Sequence, residues 1–282
     1  MENNTTYKFT IETAGKTVFV SANYEQTRKY CEKYIVPDVE RPDIIAELTQ
    51  DEIDRIMVDA REELAKQGIE SSGLTREYYE FLLLHEKVSE KMPDFDIVMF
   101  HCSCIKVDDQ AILFTAKSGT GKSTHSKNWK KYLGERMTYI NDDKPFVGVS
   151  EAGSASDAAA AAGANAATSA GANATTSAGV QITAYGSPWN GKHFLGENTS
   201  APIKAIGIIK RDTVNHIERV SPIDAFITLY QQIYLPRVEK TRAKTMQIMQ
   251  LLAENVPVYI IYCNMEPESA QVAYEGIFGA NK

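Results

Sequence analysis

The sequence is poor in cysteine and contains no long hydrophobic run. Its 282 residues include only four cysteines, whose spacing does not form a disulfide framework. This usage is typical of a protein kept in a reducing compartment. No apolar run reaches the length needed to cross a bilayer, and the first residues lack the apolar core of a signal peptide. These absences predict a cytoplasmic protein with no membrane partner.

An excess of positive charge is also missing. The 30 Lys and Arg residues are outnumbered by 37 Asp and Glu residues, for a formal net charge of -7. Proteins that bind nucleic acid neutralise phosphates with cationic side chains, so no nucleic-acid partner is expected. Zinc is not expected either, because in a strand Cys102 and Cys104 point to one side and His101 to the other. A homo-oligomer remains an open alternative.

The chain does contain a glycine-rich loop. Residues 116–124 read Ala-Lys-Ser-Gly-Thr-Gly-Lys-Ser-Thr, between an apolar run at 111–115 and a helical pattern. A strand, a glycine turn and a helix N-terminus together bind the phosphates of a nucleoside triphosphate, although Ala116 replaces the usual first glycine. The predicted nucleotide-binding residues are Ser118, Gly119, Thr120, Gly121, Lys122, Ser123 and Thr124.

The types of these residues suggest individual roles. Lys122 is expected to reach the β and γ oxygens of ATP and to neutralise charge that develops on the transferred group. The Ser123 hydroxyl is expected to ligate Mg²⁺. The motif therefore predicts ATP and Mg²⁺ as cofactors.

A pair of carboxylates follows the next predicted strand. Residues 137–140 are apolar enough for a short strand, and Asn-Asp-Asp-Lys-Pro follows them. A kinase needs a metal ligand and a base at such a position. We expect Asp142 or Asp143 to take the proton of an acceptor hydroxyl, Asp143 to bind Mg²⁺ with Ser123, and Glu197 to be a further metal candidate. An ordinary turn at these aspartates is the alternative.

The remaining pattern predicts an α/β protein with two lobes. Residues 1–93 form an N-terminal α+β lobe, with a hairpin around Ala14 and a capping box of Thr49 and Glu52. Residues 94–282 form the second lobe, in which 97–105 and 111–115 are expected to make a hairpin. Its segment 151–179 is rich in Ala, Gly and Ser and is expected to be a disordered insert. The loop at 186–193 is expected to expose Trp189.

In the order of these parts, the chain resembles the HPr kinase/phosphorylase family, which shares its nucleotide-binding core with phosphoenolpyruvate carboxykinases. The resemblance rests on the loop Ser-Gly-Thr-Gly-Lys-Ser-Thr at 118–124, on His101 ahead of it, and on the pair Asp142 and Asp143. It covers residues 94–149 best. It implies a mixed-sheet P-loop kinase core of that type, with His101, Lys122 and the two aspartates as catalytic residues.

The function expected from these motifs is ATP-dependent transfer of the γ-phosphoryl group to a hydroxyl. The acceptor is expected to be a serine of a protein or peptide, or a small molecule. Two alternatives remain open. One is a catalytically silent ATP-binding regulator, and the other is a nucleoside triphosphatase that uses water as acceptor.

Overall fold

The structure is a computed structural model that describes residues 6–66, 68, 75–117, 119–151 and 179–279. It is a mixed α/β fold with two β-sheets. The smaller sheet has four strands in the order β3-β1-β2-β4, namely β1 (Tyr7–Thr13), β2 (Lys16–Ala22), β3 (Ile35–Val36) and β4 (Ile44–Glu47). Three helices accompany it: α1 (Glu25–Tyr30), α2 (Gln50–Lys66) and α3 (Arg76–Lys91).

The hairpin and the capping box that the sequence predicts in the N-terminal region are both confirmed. Strands β1 and β2 form an antiparallel hairpin across Ala14 and Gly15, both of which have positive φ. Helix α2 begins after the predicted capping box, in which the Glu52 N–H donates to Thr49 Oγ1 and the Thr49 N–H donates to the Glu52 carboxylate. The Thr75 side chain caps α3 by accepting from the Tyr78 N–H. These short-range hydrogen bonds fix where the helices begin.

The larger sheet has nine strands. Seven of them follow the order β5-β9-β10-β11-β7-β6-β8, and β13 pairs with both β11 and β12. Strand β11 runs parallel to β7, whereas β6 is antiparallel to both β7 and β8. The strands are β5 (Ile97–Met99), β6 (Ser103–Val107), β7 (Gln110–Thr115), β8 (Met137–Asn141), β9 (Phe146–Glu151), β10 (Val180–Tyr185), β11 (Ser200–Arg211), β12 (His216–Val220) and β13 (Val258–Cys263).

Helices cover both faces of this sheet. They are α4 (Lys122–Leu133), α5 (Pro222–Tyr230), α6 (Glu239–Asn255) and α7 (Glu268–Phe278). Alternate residues of β7 point to opposite faces, so Ile112 packs with Trp129 of α4, and Leu113 packs in the cluster that contains Leu229 of α5 and Ile248 of α6. Strand β7 is therefore buried on both sides, as expected where helices flank parallel strands.

One predicted element is wrong. Residues 97–105 do not form a continuous strand, because the backbone leaves the sheet between β5 and β6 at Phe100 and His101. The Phe100 N–H donates to Pro145 O (3.1 Å), and the His101 N–H donates to Gln232 O (2.7 Å). The two halves consequently join different parts of the sheet, and only β6 forms the hairpin with β7.

The two sheets share a hydrophobic cluster. It combines residues of the N-terminal sheet and α3 with Met99, Phe146 and Trp189 from the second half of the chain. The proposed division at residue 93 stays a prediction. Of the predicted disordered insert 151–179, residues 152–178 lie outside the described residues, whereas Glu151 is the last residue of β9. Strands β9 and β10 pair as an antiparallel ladder. Among the helices that the structure describes, none is both long and apolar enough to cross a membrane.

Candidate active site

The glycine-rich loop lies at the carboxyl edge of the larger sheet, between β7 and α4. Gly119 and Gly121 have φ of 74° and 121°, which other residues rarely adopt. A Cβ at Gly121 would lie 2.2 Å from Met265 Cε, the flexible end of a side chain that can move aside, so the backbone conformation and not the space favours glycine there. Ser123 and Thr124 are exposed in the first turn of α4. Ser118, predicted to bind nucleotide, lies outside the described residues.

Arg211 supports this loop from the end of β11. Its guanidinium donates to Gly119 O (2.8 Å) and to Thr120 O (3.0 Å). The acceptors are neutral carbonyl groups, so they leave the positive charge of the guanidinium uncompensated next to the loop. Sequence reasoning missed Arg211, because only the parallel pairing of β11 with β7 brings the two segments together.

Three side chains that are distant in sequence meet at the first residue of α4. The nitrogen His101 Nε2 lies 3.0 Å from Lys122 Nζ and 3.2 Å from Asp143 Oδ1. Without a proton this nitrogen accepts from the lysine, and with a proton it donates to the carboxylate, so it serves one partner at a time. Burial lowers the pKa of Lys122. The structure thus brings together three of the four predicted catalytic residues.

Asp143 has a second partner in Lys144, whose ammonium pairs with Asp143 Oδ2. Burial by itself would raise the pKa of Asp143, but the hydrogen bond from His101 and the charge of Lys144 outweigh it and hold that pKa well below its usual range. Asp143 is therefore ionised at neutral pH. We call Lys122, His101, Asp143 and Lys144 the His101 cluster.

Asp142, the fourth predicted catalytic residue, points to a different neighbour. Its Oδ1 accepts from the Gly191 N–H at 2.7 Å. Burial raises the pKa of Asp142, and the bond from Gly191 offsets this only in part. Lys192 and His193, which follow Gly191, are exposed. The two adjacent aspartates thus have different partners and pKa values that are shifted in opposite directions.

Asn141 holds the backbone that carries both aspartates. Its Oδ1 accepts from the N–H groups of Asp143 (2.8 Å) and Lys144 (2.7 Å), and its Nδ2 donates to Ser187 O (3.0 Å). This fully buried amide links the turn after β8 to the loop at 186–193. Sequence reasoning assigned no role to Asn141, although its position directly before the two aspartates was the available signal.

The loop at 186–193 differs from its prediction at Trp189. That side chain is 2% exposed, packs on Phe81 and Phe146, and donates from Nε1 to Phe81 O at 2.9 Å. It is buried because α3 of the N-terminal region covers it, which the local turn signals could not indicate. Trp189 therefore anchors the loop that contacts Asp142.

Glu197, the further metal candidate, forms an ion pair elsewhere. Its Oε1 lies 2.7 Å from Lys33 Nζ, and its side chain is 56% exposed. Within the described residues, no group of three or more His, Cys, Asp or Glu side chains is arranged to hold a metal ion. The metal assignments to Ser123, Asp143 and Glu197 stay predictions.

A cleft of about 530 Å³ opens beside the glycine-rich loop. It lies between the last residues of β11, the C-terminal end of α5 and four residues of the loop, namely Ala116, Lys117, Gly119 and Thr120. Its volume is in the range of pockets that hold small molecules.

Comparisons with known proteins give a limited result. No protein-family model matches the sequence, and no curated protein is similar to it. Among solved structures, the chain is similar to the HPr(Ser) kinase/phosphatase from Coxiella burnetii, with a TM-score of 0.30 and 9% sequence identity over 63% of this chain and 95% of that chain.

Proposed function

We propose that the chain is a cytoplasmic ATP-dependent kinase that transfers the γ-phosphoryl group to a hydroxyl. The observation that carries this proposal is the contact of His101 with both Lys122 and Asp143 at the start of α4. It places a carboxylate and an ionisable nitrogen beside the lysine of a glycine-rich loop. A phosphoryl-transfer site uses a cation for the phosphates and a carboxylate for the metal, and Lys122 and Asp143 are groups of these two kinds.

The phosphates would bind at the N-terminus of α4. Backbone N–H groups of its first turn have no partner within the helix, and the helix dipole favours an anion there. Lys122, the first residue of α4, would contact the β and γ oxygens, and Arg211 adds positive charge from the other side of the loop. A core of the HPr kinase type is part of this proposal.

The oxygen groups present fit a magnesium ion bound together with ATP. Such an ion takes few protein ligands and keeps most of its remaining positions for phosphate and water, so a dense protein cluster is not required. Asp143 is ionised and Ser123 is exposed at the helix start, which suits both as ligands. Bound there, the ion would neutralise charge between the β and γ phosphates.

The opposite pKa shifts suggest how the two aspartates divide their roles. A base works best when its pKa is close to the working pH, which favours Asp142, whose pKa is raised by burial. Asp142 would accept the proton of the acceptor hydroxyl while the loop at 186–193 positions the acceptor. Asp143, with its depressed pKa, would remain charged on the phosphate side. His101 would orient Lys122 and Asp143.

Phosphoryl transfer from γ-labelled ATP to serine-containing peptides, proteins and small molecules tests the proposal. We expect transfer by the wild-type protein with Mg²⁺, and loss of transfer in Lys122→Ala and Asp142→Asn. The control is Asp109→Asn, which removes an exposed carboxylate at the β6–β7 turn, where asparagine tolerates the positive φ.

The outcomes separate the alternatives. Release of phosphate at the same rate with and without acceptors would identify a nucleoside triphosphatase. ATP binding without turnover would identify a silent regulator. Transfer that persists in both Lys122→Ala and Asp142→Asn refutes the assigned site.

A further inference from the structure

An open cavity of about 470 Å³ lies between α1 and the first turn of α3. Three tyrosines, Tyr24, Tyr30 and Tyr78, line it together with the carboxylates of Glu25 and Glu77. A glutamine and a threonine complete the lining, so no lysine or arginine of the described part of the chain forms its wall. The cavity therefore combines aromatic rings with negative charge.

Buried contacts hold two of the three tyrosines in place. The carboxylate of Glu80 on α3 is fully buried and accepts from the Tyr24 N–H (3.1 Å) and from the Thr27 hydroxyl (2.6 Å). These hydrogen bonds fix the start of α1 against α3. The ring centroid of Tyr30 lies 4.9 Å from that of Phe81. Because the walls are positioned by the fold, binding a ligand costs little ordering of side chains.

The negative charge at the cavity is only partly compensated. Glu77 forms no ion pair or hydrogen bond with any residue that the structure describes. Glu25 pairs with Lys29 at 3.2 Å, but both side chains are 59% exposed, so water screens this pair. The nearby guanidinium of Arg76 forms an ion pair with Asp54 of α2, which offsets its charge. A positively charged ligand is therefore favoured.

The tyrosine rings indicate what kind of cation fits. The face of an aromatic ring is negative and attracts a cation that lies within about 6 Å of its centre. A metal ion would need several oxygen ligands close together, whereas a methylated ammonium group presents apolar methyl groups to the rings and carries a spread positive charge. Rings and carboxylates thus both favour an organic cation.

The cavity adjoins the loop at 186–193 on one side. The ring of Tyr30 stacks on that of Phe194, with centroids 4.8 Å apart. The Phe194 N–H donates to Gly191 O (3.0 Å), and the Gly191 N–H donates to Asp142 Oδ1. These contacts link one wall of the cavity to the residue that holds Asp142.

We propose that this cavity binds an organic cation, a methylated ammonium group that lies among the rings of Tyr24, Tyr30 and Tyr78 with Glu77 as its counter-ion. The site is separate from the glycine-rich loop, and the inference does not depend on the proposed function. The ammonium group belongs either to a small free molecule or to a methylated lysine of a peptide.

The test compares choline with its neutral isostere, in which carbon replaces the ammonium nitrogen. Binding of each to the full-length protein is measured by titration calorimetry. Tyr78→Leu removes one ring, and Glu77→Gln removes the counter-ion. The matched controls are Tyr132→Leu, at a tyrosine that is 41% exposed against 48% for Tyr78, and Glu268→Gln, which removes a carboxylate from the first turn of α7. Neither control residue lines the cavity.

We expect choline to bind about tenfold more tightly than the neutral isostere, and Tyr78→Leu and Glu77→Gln each to weaken choline binding by about fivefold or more. Tyr132→Leu and Glu268→Gln should leave choline binding within about twofold of the wild-type value. Glu77 also lies in the first turn of α3, where a carboxylate stabilises the helix dipole. If that were its only role, Glu77→Gln would lower the melting temperature as Glu268→Gln does and leave choline binding unchanged.

A short peptide that carries one trimethylated lysine identifies the source of the cation. Tighter binding of the peptide than of choline assigns the site to a peptide partner, and the reverse order assigns it to a small molecule; either order supports the site. The inference is overturned if the wild-type protein binds neither cation, if choline and its neutral isostere bind equally, or if Tyr78→Leu and Glu77→Gln both leave choline binding at the wild-type value.

Discussion

Replacing each of the adjacent aspartates by asparagine should change stability in opposite directions. Asp143 is held ionised between His101 and Lys144, so Asp143→Asn removes a favourable charge and should lower the free energy of unfolding at neutral pH. Burial makes the ionised form of Asp142 unfavourable. Asp142→Asn should therefore raise the free energy of unfolding, since an asparagine oxygen can still accept from Gly191.

The size of the Asp143 effect follows from its two contacts. The side chains of Asp143 and Lys144 are 24% and 25% exposed, and that of His101 is 41% exposed. Charge-assisted hydrogen bonds contribute roughly 1.5–3 kcal/mol when well shielded, and exposed ion pairs contribute much less. Since the site is partly open to water, we expect Asp143→Asn to cost about 1–3 kcal/mol.

The pH dependence has a definite sign for each residue. The folded-state pKa of Asp143 is depressed, so its contribution is fully present above the unfolded-state pKa of about 3.9 and is lost as the pH falls through the folded-state pKa. The folded-state pKa of Asp142 is raised. Its penalty is absent below the unfolded-state pKa and develops as the pH rises through the folded-state value.

Urea unfolding of the two variants and the wild-type protein between pH 7 and pH 4 measures both effects. The gain from Asp142→Asn should fade within this range as the wild-type carboxyl becomes protonated, while the loss from Asp143→Asn should persist to about pH 4. Destabilisation of the same sign and size in both variants at pH 7 would contradict the reasoning.

Three further predictions follow from other contacts. Gly121→Ala should weaken ADP binding by about tenfold, because a φ of 121° costs about 1–3 kcal/mol for any residue other than glycine. A second change, Met265→Ala, should not restore binding, because the side chain of Met265 can move aside by itself. Full restoration would show that the clash with Met265 dominates. Arg211→Lys should weaken ADP binding less than Arg211→Ala in calorimetry, because lysine keeps the charge but cannot span both loop carbonyl groups; equal losses would assign the effect to geometry alone. Trp189→Phe should lower the free energy of unfolding by about 1 kcal/mol in urea, because Phe81 O loses one donor; an unchanged value would mean that this bond contributes nothing.

The sequence-based predictions are correct where the local structure depends on interactions between neighbouring residues. The turn at Ala14 and Gly15 and the capping box of Thr49 and Glu52 depend on hydrogen bonds within a few residues, and both are found. The predictions are wrong where a segment that is distant in sequence forms the deciding contact. The strand predicted at 97–105 is broken, because Gln232 accepts the His101 N–H from a loop more than a hundred residues away. Trp189 was misjudged for the same kind of reason, since α3 covers it.

For the candidate site, the sequence named His101, Lys122, Asp142 and Asp143, but not the arrangement that links them. For Lys122 and the two aspartates, residue type and spacing suggested phosphate binding and acid–base chemistry, because those properties belong to the side chains themselves, whereas His101 was named from the resemblance to a kinase family. The contact of Arg211 with the loop joins residues that are distant in sequence, so local patterns did not reveal it. The contacts of Asn141 and Lys144 with Asp143 are between near neighbours, and sequence reasoning overlooked them.

By itself, then, the sequence determined the local elements and the presence of a glycine-rich loop with two carboxylates downstream. Only the tertiary structure decided that His101 lies between Lys122 and Asp143, and that Asp142 and Asp143 have oppositely shifted pKa values. The physical reason is that burial and charge at a site come from segments that approach through the sheet and the loop at 186–193. The pattern of neighbouring residues along the chain does not predict which distant segments make these contacts.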